Sequence, residues 1–374
     1  MGYRIGAVGM GHWFERLQEA VRRGDRISVV KAAGIRSYDE KMEIFAKAGV
    51  PRENYFRIKP FEPLPDEFFE GIEIVYIASP NQFHAEQVIQ ALSKGKFVVV
   101  EKTIAVNEEE FNRVMDYIKN NGLTNKIHLH LHYLRKALTM ELPSLLLTAA
   151  REYGKISSVS ATFFEQKSAE DLRRAWLLRP ENGGIFMDWV HPMEILYRQC
   201  GARFLECLGV KPFIINSGYD TVNPTAVEAR FALEGLNFTE DAVATIRVGK
   251  GFEETRCKTV RFYFESGSFL DINYADSAEE YNSVFRGTWQ LVENSEGKQN
   301  VVAEGAPTGM TPYEFLVYDT ANLVESGKPL LSIEDISALF GAQWKFQKAI
   351  KGVAPSSDKV EIRDFIKAGL EKFY

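Results

Sequence analysis

Between residue 4 and about residue 105, short runs rich in valine and isoleucine alternate with longer stretches in which apolar residues recur every three or four positions. The runs at 4–8, 27–33, 74–78 and 97–100 are short, rich in valine and isoleucine and flanked by glycine or charged residues, which predicts buried strands. The stretches at 12–23, 38–48, 83–94 and 107–120 carry helical spacing. Strand and helix taken in turn predict a parallel, doubly wound sheet. After the turn-like Asn120-Asn121-Gly122 a further strand is expected over 126–133, then a helix over about 139–152.

Beyond residue 155 the texture changes. Segments near 155–165, 204–212, 226–234, 241–249, 257–265, 268–274 and 283–292 alternate polar and apolar residues at close spacing, as in one large, open, mostly antiparallel sheet. Helical patterns at 313–325, 333–351 and 360–372 close the chain. The fold class is α/β, and two domains are expected, over 1–124 and 125–374. A sheet of that size needs its second face covered, so a homo-oligomer, a dimer or tetramer, is expected through it.

At 374 residues the chain is too long for one ordinary core, which agrees with two domains. Its formal charge of -6 argues against a polyanion-binding surface, so nucleic acid is not an expected partner. The N-terminus lacks the basic-then-apolar pattern of a secretory signal, and no apolar stretch reaches about 18 residues. Cys200, Cys207 and Cys257 are scattered and odd in number, as for reduced packing thiols in a cytoplasmic protein.

The first strand runs into Gly9-Met10-Gly11-His12-Trp13-Phe14. Two of the three glycines of a dinucleotide fingerprint are present: Gly9 for the tight turn, and Gly11 for approach of backbone to a pyrophosphate at the following helix N-terminus, which His12 opens. Phe14 stands at the third position. At the end of the second strand, where an acidic residue would accept the ribose hydroxyls of NAD, the chain reads Ile35-Arg36-Ser37-Tyr38. A guanidinium beside a hydroxyl suits a 2′-phosphate, so NADP is expected in preference to NAD. Residues 1–124 are thus expected to be a Rossmann domain, and 125–374 to bind substrate and carry the oligomer contacts.

More specific are Tyr76-Ile77-Ala78-Ser79-Pro80-Asn81-Gln82-Phe83-His84 and the later Glu101-Lys102. Here the sequence resembles the glucose–fructose oxidoreductase / inositol dehydrogenase family, whose members carry Tyr-x-Ala-Thr-Pro-Asn-x-x-His and Glu-Lys-Pro at these places. Gly183-Gly184 before Asp188 and His191, Glu265-Ser266-Gly267-Ser268 and Gly327-Lys328-Pro329 extend the likeness along nearly the whole chain. The resemblance implies a nicotinamide cofactor, contacted by Ser79, Pro80, Asn81, His84 and Glu101 with the glycine loop, and a sugar or related polyol as substrate. Thr103 replaces the proline of the signature. The family's Asp-x-x-x-His is shortened to Asp188-Trp189-Val190-His191, leaving open which of Asp188 and His191 holds the family position.

The chemistry follows from the residues as well. Lys102 succeeds a strand at the carboxyl edge of a doubly wound sheet, where its ammonium can polarise a reacting oxygen. Alcohol oxidation needs a base for the hydroxyl proton, and histidine as a residue type titrates in the right range, which makes His191 the candidate. Asp188 lies three residues earlier and shares its helix face, so it can orient or charge-stabilise the imidazole. His128, His130 and His132 alternate along a strand, but carboxylate or cysteine partners at metal spacing are absent and no metal is expected. His132-Tyr133-Leu134-Arg135-Lys136 is similar to the His-Tyr-Leu-Gly-Lys motif of glucose-6-phosphate dehydrogenases, which implies that His132 and Lys136 contact a sugar or its phosphate. Arg173, Arg174 and Arg179 are further phosphate candidates.

These features point to an NAD(P)-dependent sugar or polyol dehydrogenase or reductase. Two other readings stand beside it: a dinucleotide-binding sensor without turnover, and an enzyme that uses tightly bound NAD(H) for transient oxidation, as in glycoside cleavage.

Overall fold

A computed structural model describes residues 2–166, 185–213, 226–251, 257–274, 287–350 and 353. The chain separates into two compact units. Among the described residues, one comprises 2–132 and 312–338, and the other the rest. The first unit reaches past the expected boundary at residue 124 and takes in a late helix, for reasons of pairing and packing given below.

In the first unit, strands β1 (Tyr3–Val8), β2 (Ile27–Gly34), β3 (Tyr55–Arg57), β4 (Ile74–Ile77), β5 (Phe97–Glu101) and β6 (Ile127–His130) form one sheet of order β3-β2-β1-β4-β5-β6. Every neighbouring pair in it is parallel. The helices between are α1 (His12–Val21), α2 (Met42–Ala48), α3 (Asp66–Phe69), α4 (His84–Ser93) and α5 (Glu108–Asn120). This is the doubly wound sheet that the alternating pattern predicts. Ile74, Val75, Tyr76 and Ile77 on β4 are all buried, as a central strand covered on both faces requires.

β6 lies beyond residue 124, yet it pairs with β5 through Val98↔Ile127 to Glu101↔His130, so it completes this sheet rather than opening the next unit. The helix Pro312–Ser326 also belongs here. Its Tyr313, Leu316 and Val317 join Ile5, Ala7, Phe14, Leu17, Tyr76 and Val99 in one buried cluster, covering the same sheet face as α1. Arg23 and Arg26 on the α1 side pair with Glu314 and Glu325 of that helix.

The second unit is built on an eight-stranded sheet: β7 (Ile156–Gln166), β8 (Arg203–Phe213), β9 (Ala226–Glu234), β10 (Phe238–Gly251), β11 (Cys257–Phe264), β12 (Phe269–Asn273), β13 (Thr288–Ser295) and β14 (Lys298–Gly305), in the order β14-β13-β12-β11-β7-β10-β9-β8. Among the described residues, β7 and β10 run parallel and the other neighbouring pairs antiparallel. Period two sorts its side chains. Val159, Ala161, Phe163, Val260, Phe262, Leu270, Ile246 and Phe231 are buried on one face, while the other carries the ion pairs Arg247–Glu228, at 2.7 Å, and Arg261–Asp271. On the apolar side lie α6 (Ala137–Tyr153) and α7 (Phe186–Glu194), whose Trp189 stacks on Phe346 with centroids 3.8 Å apart.

No helix among the described residues is long and apolar enough to cross a membrane. The helix expected over 360–372, the Gly183-Gly184 pair and Arg173, Arg174 and Arg179 lie outside the described residues.

Candidate active site

β1 ends in the glycine turn. Gly9 has φ +93°, and a methyl group built there would stand 2.5 Å from the Ala78 carbonyl and the Ser79 nitrogen, so glycine is required by both conformation and space. Gly11 caps α1, and a Cβ on it would meet nothing within 4 Å. The helix N-terminus with an open glycine ahead of it fits a dinucleotide pyrophosphate, whose approach needs bare backbone and free amides. Phe14, at the third fingerprint position, is fully buried in the cluster between α1 and the sheet. Bulk there packs the core rather than blocking the turn. The His12 side chain lies outside the described residues.

At the end of β2, Arg36 is exposed. Its main-chain carbonyl accepts a hydrogen bond from the Tyr55 hydroxyl. Ser37 is engaged locally: its Oγ accepts from the Glu40 amide at 3.3 Å and its own amide donates to the Glu40 carboxylate at 3.2 Å. Arg57 ends the adjacent strand opposite Gly34, on the same side of β3 as Tyr55.

The ends of β4 and β5 carry the remaining expected groups. Ser79 donates to the Gln87 side chain at 2.6 Å, and Asn81 is buried in the turn that leads into α4. The buried His84 ring has Nε2 2.7 Å from the Ser79 carbonyl and Nδ1 2.8 Å from the Thr103 carbonyl. Lys102 is half-buried and follows Glu101 directly; the Lys102–Thr103 peptide is cis.

Glu101 is a buried carboxyl. Strand register places Tyr76, Val99 and Glu101 with His128 and His130 on one sheet face, where the Tyr76 hydroxyl donates to Glu101 Oε1 at 2.7 Å and the Tyr313 hydroxyl donates to the same oxygen at 3.1 Å. Burial pushes the Glu101 carboxyl up to about 7, against the pull of the two hydroxyls and the Lys102 charge. The Tyr313 ring stacks on Trp13 of the glycine motif at 6.2 Å and lies 5.0 Å from His130. His132 is 6.0 Å from Trp13. Among the described residues, no group of three or more His, Cys, Asp or Glu is arranged to hold a metal ion.

The second unit has its own polar cluster, centred on the buried Tyr133. Lys136, only 2% exposed, places Nζ 3.5 Å from the Tyr133 ring centroid; Lys258, at the start of β11, lies 5.7 Å from it; and the His191 ring is 4.5 Å away. His191 Nδ1 is 3.3 Å from Glu194 Oε1, both buried on one face of α7. Asp188, one turn earlier, is buried as well. A π-turn over Ile195–Gln199 continues α7, a local irregularity often found at functional positions. Tyr274 joins the cluster through Thr139, which donates to its hydroxyl at 2.9 Å.

Residues 3–128 match the family of oxidoreductases with an NAD-binding Rossmann fold known as Gfo/Idh/MocA. The match takes in β1 to β5 of the first unit. Glucose-6-phosphate 3-dehydrogenase of Bacillus subtilis is 30% identical over 118 residues, 32% of each chain. A 1-carboxy-3-chloro-3,4-dihydroxycyclohexa-1,5-diene dehydrogenase of Comamonas testosteroni is 34% identical over 203 residues, 52% of this chain and 46% of that one. The matched segments thus span about a third to a half of these relatives. A 3-ketoreductase from Actinomadura kijaniata, solved with NADP, shares the fold with a TM-score of 0.73 at 18% identity, over 95% of this chain and 98% of that one.

The structure adds residues that the sequence did not single out. Tyr313 lies far along the chain from Glu101, so no local motif announces it. Lys258 sits in an alternating strand as an inward-facing charge, which period two exposes as an anomaly only once the register is known. Glu194 repeats the i,i+3 spacing of Asp188 and His191, a signal that was available.

Proposed function

We propose that the protein is an NAD(P)-dependent dehydrogenase or reductase of a sugar, sugar phosphate or related polyol, with NADP preferred over NAD. The observation that carries this reading is Lys102 at the carboxyl edge of the parallel sheet, the same edge that bears the Gly9–Gly11 turn, because ligands of doubly wound sheets bind at that edge. A bound nicotinamide dinucleotide supplies or accepts the hydride.

The chain's own residues do the rest. The Lys102 ammonium polarises the reacting oxygen and stabilises negative charge that develops on it. His191, whose Nδ1 lies 3.3 Å from Glu194 Oε1, takes or returns the hydroxyl proton, and Asp188 adds negative charge that favours the imidazolium. Lys136 and Lys258 bring two cations to the Tyr133 ring, which suits a phosphate or another anionic group on the sugar, and His132 is a further polar contact. At the cofactor end, Gly9, Gly11 and His12 serve the pyrophosphate, Arg36 and Ser37 the 2′-phosphate, and Ser79, Pro80, Asn81 and Glu101 the nicotinamide side.

The test is absorbance at the reduced-nicotinamide band with a panel of sugars and sugar phosphates. Lys102→Met is expected to lower turnover by about 10²-fold or more while NADP binds as before. Retained turnover would remove the lysine from the mechanism, and silence of the parent protein with every compound and both cofactors would sink the oxidoreductase reading.

A further inference from the structure

Lys102 is framed by two neighbours that cannot move freely. Glu101 and Thr103 are 3% and 2% exposed, and Lys102 between them is half-buried. Glu101 is held by the Tyr76 and Tyr313 hydroxyls. Thr103 is held twice: its Oγ1 donates to the Ala105 carbonyl at 2.9 Å, and its own carbonyl faces His84 Nδ1. The other nitrogen of that ring reaches the Ser79 carbonyl, just beyond β4. One fully buried imidazole therefore spans the loops that follow β4 and β5.

The chemistry of that span is unusual. Carbonyls only accept, and a neutral imidazole has one N–H, so only a ring with a proton on each nitrogen donates to both. Burial opposes that charge and holds the imidazole below its ordinary pKa, with the carbonyls pulling the other way. The ring stands between the two carbonyls with one nitrogen against each, so a side chain without donors at this position would release both loops.

We propose that His84 is a positioning residue for Lys102: by tying the Thr103 carbonyl to the Ser79 carbonyl it fixes the main chain from which the lysine extends. This rests on the oxidoreductase reading for its purpose but not for its test. A lysine stem has four rotatable carbons, so the position of its Cα decides which oxygen its ammonium reaches. A misplacement of about 1 Å is enough to cost about 10²-fold in rate.

The experiment compares the ligand-free parent protein with His84→Phe, which keeps a ring but has no donor, and His84→Gln, whose amide restores donors. Hydrogen–deuterium exchange should rise about tenfold or more in His84→Phe at residues 79–83 and 102–106 together, with β1 and β2 unchanged, and His84→Gln should recover most of that protection. With substrate, kcat should fall in His84→Phe by a larger factor than KM for the dinucleotide rises, and His84→Gln should regain part of the rate. If His84→Phe does not fold, His84→Asn, whose shorter amide cannot span both carbonyls, takes its place. Unchanged exchange in the two loops, a rise spread evenly over the whole unit, or a glutamine variant no better than phenylalanine would overturn the proposal. A parent protein with no turnover would count against the oxidoreductase reading alone, because the exchange result still decides whether the ring ties the loops.

Discussion

Arg36 stands exposed at the end of β2, and its main-chain carbonyl accepts from the Tyr55 hydroxyl. Burial raises the Tyr55 hydroxyl pKa, Arg57 is near enough to pull against that rise, and the Glu40 charge adds to it. On the proposed reading a 2′-phosphate would gain from the Arg36 guanidinium, whereas a 2′-hydroxyl would gain little. Arg36→Ala is expected to weaken NADP by about 10- to 100-fold, the value of one charge-assisted hydrogen bond, and to leave NAD within about twofold. Fluorescence titration with both cofactors checks this, and equal losses would remove Arg36 from cofactor choice. The proposal is read from local chemistry, a strand end followed closely by Arg36 and Ser37.

Elements were legible where their pattern was local and obscure where only the fold supplies the reason. The apolar runs of β1, β2, β4 and β5 and the helical spacing of α1, α4 and α5 announced themselves through burial on both faces or on one stripe. β3, three residues long, and β14, reading Lys298-Gln299-Asn300-Val301-Val302-Ala303-Glu304-Gly305 with every residue exposed or half-buried, are edge strands that need no apolar period. The helix Pro312–Ser326 was predicted as a helix, but its return to the first sheet was not, since that follows from partners some 200 to 300 residues away. Tyr313 measures how firmly it docks. Tyr313→Phe removes one of the two donors to Glu101 and should cost about 1–2 kcal/mol, whereas Tyr313→Ala also loses the stacking on Trp13 and should cost about 3–5 kcal/mol. Urea midpoints should fall in that order, and a phenylalanine variant as stable as the parent would show that the hydroxyl adds nothing to docking.

For the whole molecule, the most informative charge is the one that burial suppresses. Glu101 binds its proton up to about pH 7 in the folded chain but releases it near its ordinary 4.5 when unfolded. Between those values the unfolded state holds fewer protons than the folded state, so stability falls as pH rises. The contribution is complete below about 4.5 and gone above about 7, the reverse of a salt-bridged carboxylate, whose raised stability appears at high pH. A rise from 4.5 to about 7 corresponds to about 3 kcal/mol at most. Glu101→Gln keeps an oxygen for the Tyr76 and Tyr313 hydroxyls but has no proton to lose. It should match the parent near pH 4.5 and become progressively more stable than it toward pH 7, as the parent alone spends free energy on retaining or ionising a buried acid. Measuring urea midpoints of the two proteins side by side across that window cancels the other titrating groups. A difference that stays flat with pH would mean that Glu101 is ionised throughout, held charged by Lys102 and the two hydroxyls against its desolvation.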